Sequence, residues 1–442
     1  MRNLYFLTLL SIILFSCNND DDVKTIPAEP LITGYMYTST NANGQNAVLG
    51  FKQFIDGTIE ELENSPFFTK DLGATEQGDF DAQYSIRMID DLLLVVNAGK
   101  NPVNGTISVF KIDKPSGNLT LIDQTPSDDS SFNIDSRGIR PVSIAITETN
   151  DKTWVVVGNQ HSIFGYAGAN EIPFGELVNT NERNIVLYSL DKDTGLLTFE
   201  TILDTYFDGN IGGVACVDFN ENGSKLIVST LGIIHIDIDF PNPNLLKSSQ
   251  IYFYDFNNGS ATNTGIFAEP GVAGTVAAIW SNTGNNIYTT SFNLTEDRID
   301  YDVLRINSNN LDIEQNFRSG LELDNSSCWA TITEDKQHLL TVNLGENSVA
   351  SYKVAADDAL SIVADPYITP ARDLNGRELK DIINLGNYVY AISAVNSHKI
   401  SIFYLNSDGS LTELSSSPYA IPSSIGKTSE QEIFLGLVGY SK

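Results

Sequence analysis

The sequence predicts an all-β fold: a seven-bladed β-propeller of four-stranded antiparallel blades whose ring is closed by the two chain ends. Three observations carry this. A unit made of a short apolar strand, a polar turn, a second strand of β-branched and aromatic residues and an Asn/Gly/Ser loop recurs six times. Each copy is followed by a strand that alternates with a period of two, the mark of a half-buried strand, and usually by a fourth, more polar strand. Helix-favouring tracts are scarce along the 442 residues, while aromatics, Gly and Asn are frequent.

The six copies read YSIRMIDDLLLVVNAGKN from Tyr84, SIAITETNDKTWVVVGNQ from Ser143, CVDFNENGSKLIVSTLG from Cys216, AAIWSNTGNNIYTTSFN from Ala277, WATITEDKQHLLTVNLGEN from Trp329 and DIINLGNYVYAISAVNS from Asp381. Third strands include TISVFKID from Thr106, NIVLYSLD from Asn184, QIYFYDF from Gln250, SVASYKV from Ser348 and KISIFYL from Lys399. Fourth strands include NLTLIDQ, LLTFETIL, LSIVAD and SLTELSS. No such unit can bury both of its faces alone, and stacking the units radially buries them all. A seventh blade is split between the ends. Residues 31–39, Ala47–Phe54 and Thr58–Glu63 supply its later strands and the C-terminal segment its inner one. A competing scan makes Ser424–Ser429 and Glu432–Tyr440 a first-and-second-strand pair, so the closing strand stays open at this point.

Ahead of the repeats, Arg2 precedes an apolar run from Leu4 to Phe15. The run is too short to cross a bilayer as a helix and has the length of a signal-peptide core. It ends in Leu14-Phe15-Ser16-Cys17, which resembles the lipobox of bacterial lipoproteins. That resemblance implies removal of residues 1–16, lipidation of Cys17 and an outer-membrane lipoprotein. Asn18, Asn19, Asp20, Asp21 and Asp22 are similar to the acidic tag that sends some lipoproteins to the cell surface; the alternative is the periplasmic leaflet. Residues 17–30 then form an acidic, Pro-containing tether, and residues 31–442 a single propeller domain.

Charge narrows the partners. Lys and Arg number 26 against 56 Asp and Glu, a net charge of −30. Such a chain repels phosphate backbones, so nucleic acid is excluded as a partner. Cys216 and Cys328 open inner strands two blades apart, beyond the ~7 Å reach of a disulfide, and read as buried free thiols.

The stretches from Pro141 to Phe199 (PVSIAI … VVVGNQHS … IVLYSLDKDTGLLTF) and from Lys399 to Leu414 (KISIFYLNSDGSLTEL) resemble the lactonase-like seven-bladed propellers, which include 6-phosphogluconolactonase and carboxymuconate cyclase-type enzymes. The resemblance spans nearly the whole chain beyond the tether. It implies a Pro-His-x-His stretch on an inner strand after an Arg-bearing loop. Here Arg137, Arg140 and Pro141 are present, but Val142 and Ile144 stand where the histidines belong.

Candidate site residues follow from the repeat. Loops that enter the inner strands share one face with the loops after the second strands, and that face presents Arg137, Arg140, Arg372, Arg377, Asn343 and Glu346 as ligand-binding candidates. Four arginines at one rim would suit a carboxylate or phosphate, since guanidinium binds both bidentately. The alternative pairs each with a nearby acid, such as Asp135 or Asp373. His161, with Glu378 or Glu346, is the candidate general base on a lactone carbonyl. His235, Asp237 and Asp239 alternate along one strand face and form the candidate divalent-metal site; no other cofactor is indicated. Asp218-Phe-Asn220-Glu-Asn222-Gly223 and Asp191-Lys-Asp193-Thr-Gly195 read as hairpin turns, and Trp154, Trp280 and Trp329 as core. The functional expectation is a binding or scaffolding module that takes a glycan, small anion or partner protein on its loop-rich face. A lactone hydrolase or isomerase is the alternative.

Overall fold

The computed structural model describes residues 30–41, 44–73, 82–99, 103–127, 131–149, 152–160, 183–206, 213–232, 248–270, 272–292, 302–320, 327–370, 379–393, 397–422 and 434–442. Ile32–Lys442 form one compact unit. In it, seven antiparallel sheets stand in a ring, each joined to the next through its innermost strand. Numbered from the blade that holds both chain ends, the inner strands are Phe434–Ser441, Ile86–Ile89, Pro141–Thr149, Val214–Phe219, Ala278–Trp280, Ser327–Ile332 and Leu379–Leu385. Among the described residues there is no helix.

The period of two explains why the sheets need one another. In Asn184–Asp191 of blade 3, Val186, Tyr188 and Leu190 pack against blade 2, while Ile185 and Leu187 turn to blade 4. Each such side chain is worth about 1.5–3 kcal/mol once buried, and a lone blade would expose one of the two sets. The second strands have both faces covered and accordingly read as nearly unbroken apolar runs, such as Leu92–Asn97, which is buried throughout.

The closing strand is settled. Phe434–Ser441 pairs with Ile32–Thr40, which pairs with Gln45–Phe54, so the C-terminal segment supplies the inner strand of blade 1 and the N-terminal residues its later ones. Side chains reinforce the seam. Thr38 Oγ1 donates to Gly436 O and Ser39 Oγ to Leu435 O, both at 2.8 Å, and Lys442 N donates to Thr33 O at 2.7 Å.

All inner strands run from the face where they begin, called the upper face, to the lower face. There, the turn between the third and fourth strands of each blade meets the second strand of the preceding blade. Tyr35 OH donates to Pro115 O and Tyr37 OH to Gly117 O, at 2.7 and 2.8 Å, and a Cβ on Gly117 would lie 2.3 Å from the Tyr35 ring. Gly117 also has a φ of 74°, which favours a residue without a Cβ. The same clasp joins Tyr388 to Gly57, Leu92 to Gly195, Trp154 to Gly259 and His338 to Gly409. In the Asp191–Gly195 turn, Gly195 N donates to Asp191 O at 2.7 Å, as expected of a hairpin.

Candidate functional site

In blades 3, 4, 6 and 7 the inner strand slips register at the same place: between Pro141 and Ser143, Val214 and Cys216, Ser327 and Ala330, and Leu379 and Ile382. Such bulges release residues from the ladder and re-aim them. Ala215, Trp329 and Asp381 lie on these stretches, and all three bond to residues 82 and 83, just ahead of the blade 2 strand. Gln83 N donates to Ala215 O at 3.0 Å and Trp329 Nε1 to Ala82 O at 2.9 Å. The Gln83 carboxamide takes Ala330 N at 3.1 Å on its oxygen and gives its nitrogen to Asp381 Oδ1, also at 3.1 Å. Asp381 in turn accepts Ile382 N and Leu437 N, and Tyr84 O accepts Ile144 N at 2.9 Å. Residues 82–84 thus tie blade 2 to blades 3, 4, 6 and 7 from within the ring and fill its middle with protein.

Beneath this plug lies a charged cluster. Tyr84 takes φ 69°, sparsely populated by residues with a side chain. The Arg87 guanidinium stands 4.0 Å over its ring and 3.9 Å from Asp218 Oδ1. Asp218 Oδ2 accepts Trp280 N at 3.2 Å. Burial outweighs Arg87 and pushes the Asp218 carboxyl up to about 6. Burial likewise raises Asp381 to about 6, against the donors that hold its oxygens. Burial also lifts the Cys216 thiol, whose Sγ faces Ala278 O at 3.2 Å. Cys216 and Cys328 are both buried thiols, outside any disulfide.

The sequence candidates fall as follows. Val142 sits in a small apolar cluster with Ala82, Ala98 and Leu435, and Ile144 in the core between blades 2 and 3. Arg137 approaches Asp135 at 3.7 Å and lies 5.0 Å over Phe199, on the outermost strand of its blade. Arg140 is buried, and its carbonyl accepts Gln160 N at 3.0 Å. The Asn343 carboxamide is engaged by Ser319 and Ser348, and Glu346 accepts Ser348 Oγ at 2.6 Å. Cys17, His161, His235, Asp237, Asp239, Arg372, Arg377 and Glu378 lie outside the described residues. Among the described residues no three His, Cys, Asp or Glu side chains gather as metal ligands. Trp154, Trp280 and Trp329 are all buried.

Sequence reasoning missed Arg87 and Asp381 and read Asp218 only as the start of a hairpin turn; the turn closes at Asn220–Gly223, where Gly223 N donates to Asn220 O at 2.9 Å, while Asp218 lies on the inner strand before it. The signal is in the sequence: Arg87 and Asp218 are lone charges within SIRMI and CVDF, and Asp381 stands beside Lys380 in LKDII, each on an inner strand. A charge on a strand with both faces covered needs a partner across the ring.

No protein-family model and no curated protein matches the sequence. Solved structures do match in fold. A Bacteroides fragilis protein provisionally named a 6-phosphogluconolactonase superposes with a TM-score of 0.59 at 17% identity, over 92% of this chain and 98% of that one. A Bacteroides uniformis protein of the same provisional name gives 0.59 at 14%, over 92% and 100%. The periplasmic gluconolactonase of Pseudomonas aeruginosa gives 0.58 at 15%, over 90% and 99%. In fold, therefore, the chain is a seven-bladed β-propeller similar to these structures.

Proposed function

We propose that this chain is a lipid-anchored propeller of the outer membrane, held by Cys17, which binds a glycan, small anion or protein partner on its upper, loop-rich face and does not hydrolyse lactones. One observation carries the non-enzymatic reading: Val142, standing where the lactonase-like pattern has a histidine, is packed among Ala82, Ala98 and Leu435. Lactone hydrolysis needs a base within hydrogen-bond reach of the attacking water and donors for the developing oxyanion. Val142 and Ile144 provide neither, and the plug donors Gln83 and Trp329 already bond to protein.

The second reading, a lactone hydrolase or isomerase that uses His161 and Glu378 with the rim arginines, draws support from the gluconolactonase names of the matching structures. A panel of sugar δ-lactones separates the two. The expected result is hydrolysis by the full chain no faster than in buffer. Turnover above buffer that His161→Ala abolishes would replace the binding reading with the enzymatic one.

A further inference from the structure

We infer that the junction between blades 4 and 5 carries a second binding site, on the lower face, for a single neutral monosaccharide unit. It stands independently of any role for the upper face. A residue near the start of each second strand closes the junction to the next blade, and at six of the seven junctions it is an aromatic, leucine, asparagine or histidine residue. Tyr35, Leu92, Trp154, His338 and Tyr388 press on the next turn, and Asn286 Nδ2 bonds Asp358 Oδ2 at 3.1 Å. Burial holds the His338 imidazole below its ordinary pKa. The exception is Lys225, whose Nζ donates to Ser308 Oγ at 3.2 Å and stands 5.8 Å from the Trp280 ring.

Beside Lys225 the junction holds a cavity of about 200 Å³. Lys225, Asp255, Ser308 and Asn309 supply its polar lining, and the buried Phe253 and Trp280 its apolar wall. The volume is below the ~300–1,000 Å³ of sites for drug-sized molecules, so one ring is the fitting cargo. Lys225 and Asp255 face each other directly in the strand register, yet they form no ion pair, the ammonium being drawn to Ser308 instead.

The pair defines the ligand chemistry. An ammonium only donates and a carboxylate only accepts. A sugar hydroxyl does both, so one ring with several hydroxyls satisfies Lys225, Asp255 and the Asn309 amide together while its C–H face meets the aromatic wall. An anionic sugar would meet Asp255, and a cation Lys225, each at a repulsive cost.

The probe is saturation-transfer NMR on the full chain with the methyl glycosides of glucose, galactose, mannose and N-acetylglucosamine, alongside glucuronate and glycine, each at about 10 mM, where weak millimolar binding is visible. Lys225→Tyr installs the residue that blades 1 and 7 use at this position and should close the cavity. Asp255→Asn alters an exposed carboxylate, so it decides the matter alone if the tyrosine variant does not fold. The expected result is transfer to at least one neutral glycoside, weakened roughly tenfold or more, or ~1.4 kcal/mol, in each folded variant. No transfer to any glycoside, transfer only to glucuronate or glycine, or unchanged binding in either folded variant overturns the proposal.

Discussion

At the level of single residues, Asp218 and Asp381 make the interior of the ring sensitive to protons. Both carboxyls are raised to about 6, above the ordinary value near 4. Between those values the native chain holds protons that the unfolded chain has released, so stability falls as pH rises through that window and then levels off. A tenfold difference in proton affinity between the folded and unfolded chain corresponds to ~1.4 kcal/mol, which makes the combined effect on the order of a few kcal/mol. His338 is held below its ordinary value by burial and acts in the opposite direction. The test is therefore a comparison. In urea unfolding at pH 4.5 and 7.5, Asp381→Asn should lose less stability on going to the higher pH than the parent does, by roughly 1–3 kcal/mol, whatever bond the new amide forfeits. An identical slope in both proteins would mean that Asp381 titrates normally.

Among elements, the clasp on the lower face decides how tightly neighbouring blades hold. Gly117→Ala meets two obstacles, a φ of 74° and the Tyr35 ring 2.3 Å from the new Cβ. Gly386→Ala meets only one, since φ is 58° but nothing lies within 4 Å of the added carbon. The first substitution should cost about 3 kcal/mol and the second about 1 kcal/mol, read from thermal or urea melts. Equal losses would show that backbone conformation alone matters there. Strands of this kind are legible from sequence because both faces are covered and the period of two leaves its imprint, as in Asn184–Asp191. The closing strand was ambiguous because Phe434–Ser441 and the segment before it both carry strand-like patterns, and only pairing with Ile32–Thr40 distinguishes them. The plug was illegible for a different reason. Residues 82–84 act through backbone groups and one carboxamide that reach blades distant in sequence, and no periodicity records such contacts.

For the molecule as a whole, stability rests on the ring being complete. Phe434–Ser441 gives blade 1 its inner strand, and its Leu437 N also bonds Asp381 of blade 7 at 2.8 Å. A chain ending at residue 433 would leave Ile32–Thr40 without its inner neighbour and uncover the apolar residues on both sides of blade 1. It should lose its single cooperative unfolding transition, as followed by near-ultraviolet circular dichroism, where a mere loss of end contacts would lower the midpoint and keep the cooperativity. The candidate site was only partly legible at this scale. The sequence located Arg137 on the rim, but its leaning outward over Phe199 follows from where the fourth strand runs.

The seam at Thr33 and Lys442 has a further consequence. Both positions lie on the lower side of blade 1, so a surface, tag or fusion partner attached at Ile32 or at Lys442 grips the disc from the same side. Immobilised at Ile32 or at Lys442, the propeller would show its upper face, Arg137 included, to the surrounding solution, and the Lys225 hollow would be turned toward whatever holds it.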